Sequence, residues 1–192
     1  MSNDLRSMVF ASLFAALTAV GALIAIPIGP VPIVLQNLFV MLMGLLLGPR
    51  WGLAGVGAYL LAGALGLPVF AGGTSGLARF AGPTGGYLVG YLPCVALIGW
   101  ISIRGQGHRV FDALAMLCGT AALYVCGVSW LKLVTGMAWN KALGLGVIPF
   151  IPGDIAKIIV ATLLIKSLRQ LTAGATTTGP DSLSAIPLRA GK

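Results

Sequence analysis

Long apolar segments follow one another along most of this chain, with few charges within or between them. Of the 192 residues, 58% are hydrophobic and only 8% are charged, against roughly a quarter charged in an average soluble domain. A soluble fold of this size needs more charge to cover its surface, whereas lipid solvates apolar side chains directly. The sequence therefore predicts an all-α integral membrane protein, a compact bundle of about six transmembrane helices.

Prolines and glycines divide the apolar segments, because neither residue continues a helix easily. A proline-rich loop follows the first segment, and Gly48-Pro49-Arg50 separates the second from the third. We predict helices over residues 5–26, 34–47, 51–65, 83–101, 111–134 and 154–168. The transmembrane domain then occupies residues 1–171, and residues 172–192 form a polar tail that we expect to be disordered.

The cations are distributed unevenly between the two ends of the predicted bundle. An even number of crossings places both termini on one side, and the loops of the other side carry only Arg79 and Lys141. The terminal side carries Arg6, Arg50, Arg104, Arg109, Lys166 and Arg169. The positive-inside rule therefore predicts cytoplasmic termini for a multi-pass protein of the cell membrane. The irregular segments 27–33, 66–82 and 136–153 then face outward.

Side chains suited to catalysis are scarce. The one histidine, His108, falls in a polar loop, and the cysteines lie inside apolar segments without metal-binding spacing. Gly72, Gly73 and Gly76 resemble a phosphate-binding loop, but no Gly-Lys-Ser/Thr follows them. The sequence predicts a binding protein rather than an enzyme, without a metal or other cofactor. Any ATP hydrolysis is expected from a separate chain.

Asp154 and Lys157 are the strongest candidates for a binding role. Their i, i+3 spacing places them on one face of a helix. An ionisable group at membrane depth costs about 2.5–3.5 kcal/mol, and attraction within the pair offsets part of that cost. The pair is either the polar wall of a solute pocket or an N-capping Asp with a snorkelling Lys. The pocket is favoured, because Lys157 would have a long reach to the cytoplasm.

Other polar and aromatic residues near the outer end have two interpretations each. Arg79 suits a carboxylate, which a guanidinium binds through two hydrogen bonds, or a lipid headgroup. Gln36 and Asn37 suit a neutral polar ligand or hydrogen bonding between helices. Tyr87 and Trp139 fit the walls of a pocket or an interfacial aromatic belt.

Small residues recur every fourth position on the first helix, at Ala11, Ala15 and Ala19. Such rows let two helix backbones approach closely. The row therefore serves either internal packing or docking of a second membrane protein, and the sequence does not separate the two.

Longer motifs resemble the BioY family, the biotin-specific substrate-capture (S) components of energy-coupling-factor (ECF) transporters. The resemblance covers nearly all of residues 5–170, with Asn37 standing where Thr is more usual in the family. The matching motifs are Gly29-Pro30-Val31-Pro32-Ile33, Leu35-Gln36-Asn37-Leu38, Gly44-Leu45-Leu46-Leu47-Gly48-Pro49-Arg50, Gly66-Leu67-Pro68-Val69-Phe70-Ala71-Gly72-Gly73, Gly82-Pro83-Thr84-Gly85-Gly86-Tyr87 and Pro149-Phe150-Ile151-Pro152-Gly153-Asp154 with Lys157.

The resemblance implies high-affinity biotin capture and uptake by a six-helix S component. It also implies a transmembrane coupling protein, docked on the Ala11, Ala15 and Ala19 row, and two cytoplasmic ATPase subunits as partners. Two alternative functions stay open. The chain would be an S component for another vitamin, or a membrane scaffold or channel subunit that binds no solute.

The resemblance also suggests how biotin would be held. Asp154 would accept from the ureido N–H groups, Lys157 would donate to the ureido carbonyl, and Arg79 would bind the carboxylate. The alternative exchanges the roles of the two cations, so that Lys157 would bind the carboxylate. The remaining predicted contacts are Gln36, Asn37, the apolar walls Phe70 and Tyr87, and a glycine-rich lid over 71–76 that includes Gly73.

Overall fold

A computed structural model of the protein describes residues 3–27, 29–106 and 108–174, and they are largely helical. Within these ranges, 5 segments are long and apolar enough to cross a membrane. The elements are α1 (Asn3–Leu23), β1 (Ala25–Ile26), β2 (Ile33–Val34), α2 (Gln36–Ala64), α3 (Ala78–Ala81), α4 (Gly85–Arg104), α5 (Arg109–Thr135), α6 (Trp139–Gly146), a 3-10 turn (Ile148–Phe150) and α7 (Ile151–Gly174). The fold is therefore that of a helical membrane protein, as the composition predicts.

A break at Gly48 divides α2 into two arms, 36–47 and 49–64. The break has φ 71° and ψ −174° at Gly48, a conformation that glycine adopts without steric cost, and Pro49 begins the second arm. A side chain at Gly52 would lie 3.8 Å from the Cα of Gly44. In a straight helix, residues eight positions apart are separated by about 12 Å along the axis. The arms therefore fold back on one another as a hairpin, at the break that the sequence predicts.

The first helix ends earlier than predicted. It stops at Leu23 rather than at residue 26, because Ala25 and Ile26 pair with Val34 and Ile33 in a short antiparallel hairpin. Prolines in the connecting residues favour an extended backbone there. This 25–34 hairpin connects α1 to α2.

Two further helices lie in segments that the sequence places in loops. α3 falls within 66–82, and α6 falls within 136–153 and leads through the 3-10 turn into α7. α7 begins three residues before the predicted Asp154 and runs past the predicted tail boundary, to Gly174. Residues 175–192, the rest of the predicted tail, lie outside the described ranges.

Helix α4 packs between α2 and α5. Glycines allow α4 and α5 to approach each other closely. A methyl group at Gly86 would overlap the Cβ of Trp130 and the carbonyl oxygen of Cys126. The outward faces of the helices carry large exposed apolar side chains, among them Leu133 and Leu163. Lipid is the solvent that such faces require. Packing against α5 thus fixes the rotation of α4 and the direction of the side chains at its outer end.

Candidate functional site

A cavity of about 370 Å³ lies at the end of the bundle where the irregular segments meet the helix ends. Its wall comes from the 25–34 hairpin, the beginnings of α2 and α4, the segment 70–79, the middle of α5 and the 3-10 turn. Small-molecule sites occupy roughly 300–1,000 Å³ and are mostly apolar with a few placed polar groups. The size and the position of the cavity fit a site for a small solute.

Gln36 and Asn37 line this cavity at the start of α2. Gly21 of α1 lets the backbone at Gln36 come close, since a side chain at Gly21 would lie 2.9 Å from the Gln36 nitrogen. Gln36 is 1% exposed, and its amide nitrogen Nε2 makes no close hydrogen bond among the described residues, although the Gln36 side chain interacts with the Tyr59 hydroxyl. A buried donor left unpaired costs free energy, so this N–H is available to a ligand acceptor.

Tyr87 and Tyr91 lie one turn apart on α4 and also line the cavity. The Tyr87 ring packs against Gly127 of α5, where any side chain would overlap it, and its hydroxyl donates to the Gly146 carbonyl at 2.7 Å. The Tyr91 hydroxyl donates to Oδ1 of Asn37 at 2.6 Å. Both tyrosines thus present ring surface to the cavity while their hydroxyl protons bind protein acceptors.

Asp154 and Lys157 form the ion pair that their spacing predicts, with Lys157 Nζ 2.9 Å from Oδ1 of Asp154. Asp154 is 3% exposed and Lys157 is 9% exposed, and neither side chain is part of the cavity wall. Tyr124 of α5 does line the cavity, and its hydroxyl donates to Oδ2 of Asp154 at 2.5 Å. The ion pair is therefore connected to the cavity through Tyr124.

Arg79 on α3 is exposed and lines the cavity, as the carboxylate prediction requires. It makes no ion pair with any residue in the described ranges. Phe70 lines the cavity too, and its ring packs edge-on between Tyr59 and Phe80, with centroids 5.7 and 5.6 Å away. A free guanidinium and a fixed aromatic ring thus lie on the same segment.

The glycine-rich segment 71–76 is a succession of turns. Gly72 and Gly73 have φ of 69° and 72°, and Gly76 has φ of 92°, so their backbone conformations favour glycine. The Gly72 N–H donates to the carbonyl of Ala22, which ties the segment to α1. Gly72 lines the cavity, whereas Gly73, the residue singled out from the sequence, does not.

Tyr91 and Tyr124 line the cavity but are not among the site residues predicted from the sequence. Tyr91 had a usable signal, because it follows Tyr87 by one helical turn and so shares its face. Tyr124 had none, because its partner Asp154 lies 30 positions away on another helix. Only the packing of α5 against α7 brings these two side chains together.

The Ala11, Ala15 and Ala19 row is directed mainly toward the rest of the bundle. Ala11 is buried, and its carbonyl oxygen would lie 3.1 Å from a side chain at Gly55 of α2. Ala15 and Ala19 are half-buried and pack against the core, whereas the neighbouring Ala16 is exposed. Packing against α2 therefore accounts for Ala11, and only Ala15 and Ala19 lie at the edge that a partner could reach.

Comparison with known proteins supplies related sequences and a related structure. The sequence profile of the BioY family matches residues 1–174. A probable biotin transporter BioY of Pyrococcus horikoshii is 44% identical over 161 residues, which cover 84% of this chain and 94% of the relative. The biotin transporter BioY of Rhizobium etli is 44% identical over 174 residues, covering 85% and 92%. The crystal structure of an S-component for biotin from an ECF-type ABC transporter matches with a TM-score of 0.81 at 33% identity, covering 88% of this chain and 95% of that one.

Proposed function

This chain belongs to the BioY family, and on that premise we propose that it captures biotin in the cavity and serves its uptake across the cell membrane as the S component of an ECF-type transporter. Its relatives are named biotin transporters, and the matching crystal structure is of an S-component for biotin. The S component performs no catalysis in this proposal, and ATP hydrolysis belongs to separate subunits.

The buried amide of Gln36, which makes no close hydrogen bond within the protein, is the observation that carries the proposed binding site. The cavity is lined mostly by apolar and aromatic side chains, and this buried N–H makes no close hydrogen bond to a described residue, although the Gln36 side chain interacts with the Tyr59 hydroxyl. Biotin has a ureido carbonyl oxygen that fits such a donor, next to apolar ring and chain carbons. In this pose Phe70 and Tyr87 contact the apolar parts of biotin, and Asn37 lies beside Gln36.

The exposed guanidinium of Arg79 is proposed to bind the biotin carboxylate. Arg79 has no anionic partner among the described residues and lies at the cavity. The turns at 71–76, with Gly73, would act as the lid that carries Arg79 toward the ligand. Lys157 is less suited to the carboxylate in this arrangement, because its ammonium is paired with Asp154.

Equilibrium binding of labelled biotin to the purified protein tests this assignment. We expect tight binding that unlabelled biotin displaces and that other vitamins do not. Displacement by a different vitamin at a lower concentration would redirect the proposal to that vitamin. Absence of any bound biotin, together with ion conductance in vesicles, would favour a channel subunit instead.

Six membrane crossings with both termini in the cytoplasm are proposed for the topology. The hairpin at Gly48 supports this number, because α2 then supplies two antiparallel crossings rather than one. Lys132, near the outer end of α5, adds a third cation to that side, but the excess stays on the terminal side. Reporter fusions after Thr135 and after Gly174 should read outside and cytoplasm respectively, and the same side for both would contradict the topology.

A transmembrane coupling protein and two cytoplasmic ATPase subunits are the proposed partners. We propose that the coupling protein docks on α1 beside Ala15 and Ala19, where small half-buried side chains permit close approach. Ala15→Trp should reduce co-purification with the coupling protein while biotin binding persists. Leu117→Trp, at an exposed position of α5, is the control. Intact assembly with Ala15→Trp would exclude this surface.

A further inference from the structure

The hydroxyls of the tyrosines around the cavity all donate their hydrogen bonds to the protein, which the sequence does not reveal. Tyr87 donates to a backbone carbonyl, Tyr91 donates to the Asn37 side-chain oxygen, and Tyr124 donates to a carboxylate. A hydroxyl has one proton to donate and two lone pairs that accept. With the proton used on the protein, each of these oxygens can only accept a hydrogen bond from a ligand.

Tyr124 is the tyrosine whose hydroxyl is held most strongly in one hydrogen-bond direction. Its partner Asp154 forms an ion pair with Lys157, and a carboxylate in an ion pair can only accept hydrogen bonds. The Tyr124 proton is therefore held on the Asp154 side. A hydrogen bond to a charged acceptor is also stronger than one to a neutral acceptor, so a ligand does not easily reverse it.

We propose that Tyr124 is a specificity-determining residue that accepts a hydrogen bond from a ligand N–H, and that Asp154 and Lys157 act on the ligand by holding the Tyr124 hydroxyl in this orientation. The inference rests on the proposed function and refines it. Gln36 supplies a donor in the same cavity. A donor and an oriented acceptor together select a ligand that carries an N–H next to a carbonyl oxygen, as a cyclic urea does.

A purely structural role for Tyr124 predicts something different. If the hydroxyl only satisfied the buried carboxylate of Asp154, its removal would lower stability and leave the affinity of the folded protein unchanged. Tyr124 is half-buried and lines the cavity, so a ligand can contact this side chain, which it could not do if the residue were purely internal. Affinity and stability therefore have to be measured separately.

The test is a double-mutant cycle on biotin affinity with Tyr124→Phe and Asp154→Asn. Tyr124→Phe removes the acceptor and should weaken binding about tenfold. In Asp154→Asn the remaining side-chain oxygen is drawn to Lys157, so the amide N–H groups face Tyr124 and its proton turns to the cavity. Binding should weaken here as well, and the double variant should bind no more weakly than the weaker single variant.

Thr162→Val is the matched control, because it removes a hydroxyl that bonds within α7, away from the cavity. It should bind biotin like the parent. Thermal unfolding of each variant separates lost affinity from lost folding. Should Tyr124→Phe not fold, the parent is titrated with biotin analogues methylated at each ureido nitrogen in turn, and weaker binding of one or both supports the proposal.

Parent-like affinity of folded Tyr124→Phe would overturn this inference, as would losses that multiply in the double variant or undiminished binding of both methylated analogues. These outcomes leave the proposed function intact, because the parent still binds biotin. A parent that binds no biotin contradicts the proposed function itself, and this inference with it.

Discussion

Arg169 of α7 binds both carboxylate oxygens of Asp112 at the start of α5, with nitrogen–oxygen distances of 2.8 and 2.9 Å. The same guanidinium donates to Ser102 Oγ at 2.9 Å and lies 3.4 Å from the carbonyl oxygen of Leu45. Asp112 is fully buried. This cluster joins α2, α4, α5 and α7 at the end of the bundle away from the cavity, so it stabilises the arrangement of helices that shapes the site.

Removing the cation of this cluster should destabilise the protein. Arg169→Ala leaves a buried carboxylate without its main partner, and breaking a buried pair costs about 3–5 kcal/mol. Thermal unfolding in detergent should show a clear fall in melting temperature. Lys166→Ala removes an exposed cation of the same helix and should melt like the parent. Equal melting of Arg169→Ala and the parent would show that the cluster adds no stability.

A side chain at Gly86 should separate α4 from α5. A methyl group there overlaps Trp130 and the Cys126 carbonyl, and overpacking of this kind costs about 1–3 kcal/mol. Gly144→Ala is the control, because no heavy atom lies within 4 Å of its added carbon and alanine favours a helix. Gly86→Ala should unfold at a lower temperature than Gly144→Ala. The reverse order would contradict the packing described here.

Loss of the Gln36 amide should weaken ligand binding. Gln36→Ala removes a donor that makes no close hydrogen bond to a described residue, so biotin affinity should fall by roughly five- to tenfold. The parent should also discriminate against iminobiotin, in which nitrogen replaces the ureido oxygen, and Gln36→Ala should reduce that discrimination. Asn140→Ala, at an exposed amide on α6, should leave both affinities unchanged. Unchanged discrimination in Gln36→Ala would remove Gln36 from the ureido contact.

The charge on Arg79 should matter only for ligands that carry a carboxylate. Arg79→Met should weaken biotin binding about tenfold or more, because a hydrogen bond to a charged group contributes about 1.5–3 kcal/mol. Biotin methyl ester, which lacks the charge, should bind parent and variant alike. Lys141→Met, at the other exposed cation of the outer loops, is the control. Equal losses for biotin and its ester would assign Arg79 a role other than carboxylate binding.

Several features of the site follow from local sequence. The Gly48-Pro49 break separates two helical arms, and the i, i+3 spacing of Asp154 and Lys157 brings their side chains into an ion pair. Gln36 and Tyr87 lie at the cavity that they were expected to line. These features were predictable because backbone preferences and helical periodicity act within a few residues.

Other features required contacts between distant parts of the chain. The sequence predicts an irregular outer loop over 136–153, where α6 lies, and it does not predict which side of α1 faces α2. Ala11 is buried inside the bundle, although the four-residue spacing of the alanine row fits a docking surface equally well. The spacing of small residues specifies a face of a helix, whereas the rotation of that helix in the bundle depends on all of its neighbours.

The sequence by itself determined that this protein is helical, lies in the membrane and belongs among biotin-transporter relatives, because hydropathy, helix-breaking residues and ordered motifs are local properties. The tertiary structure alone decided that Tyr124 lies between the Asp154–Lys157 pair and the cavity, and that Arg169 binds Asp112. Each of these contacts joins two helices, and its geometry depends on how their faces pack. A hydroxyl proton is directed by the group opposite it, and no spacing along one helix specifies that group.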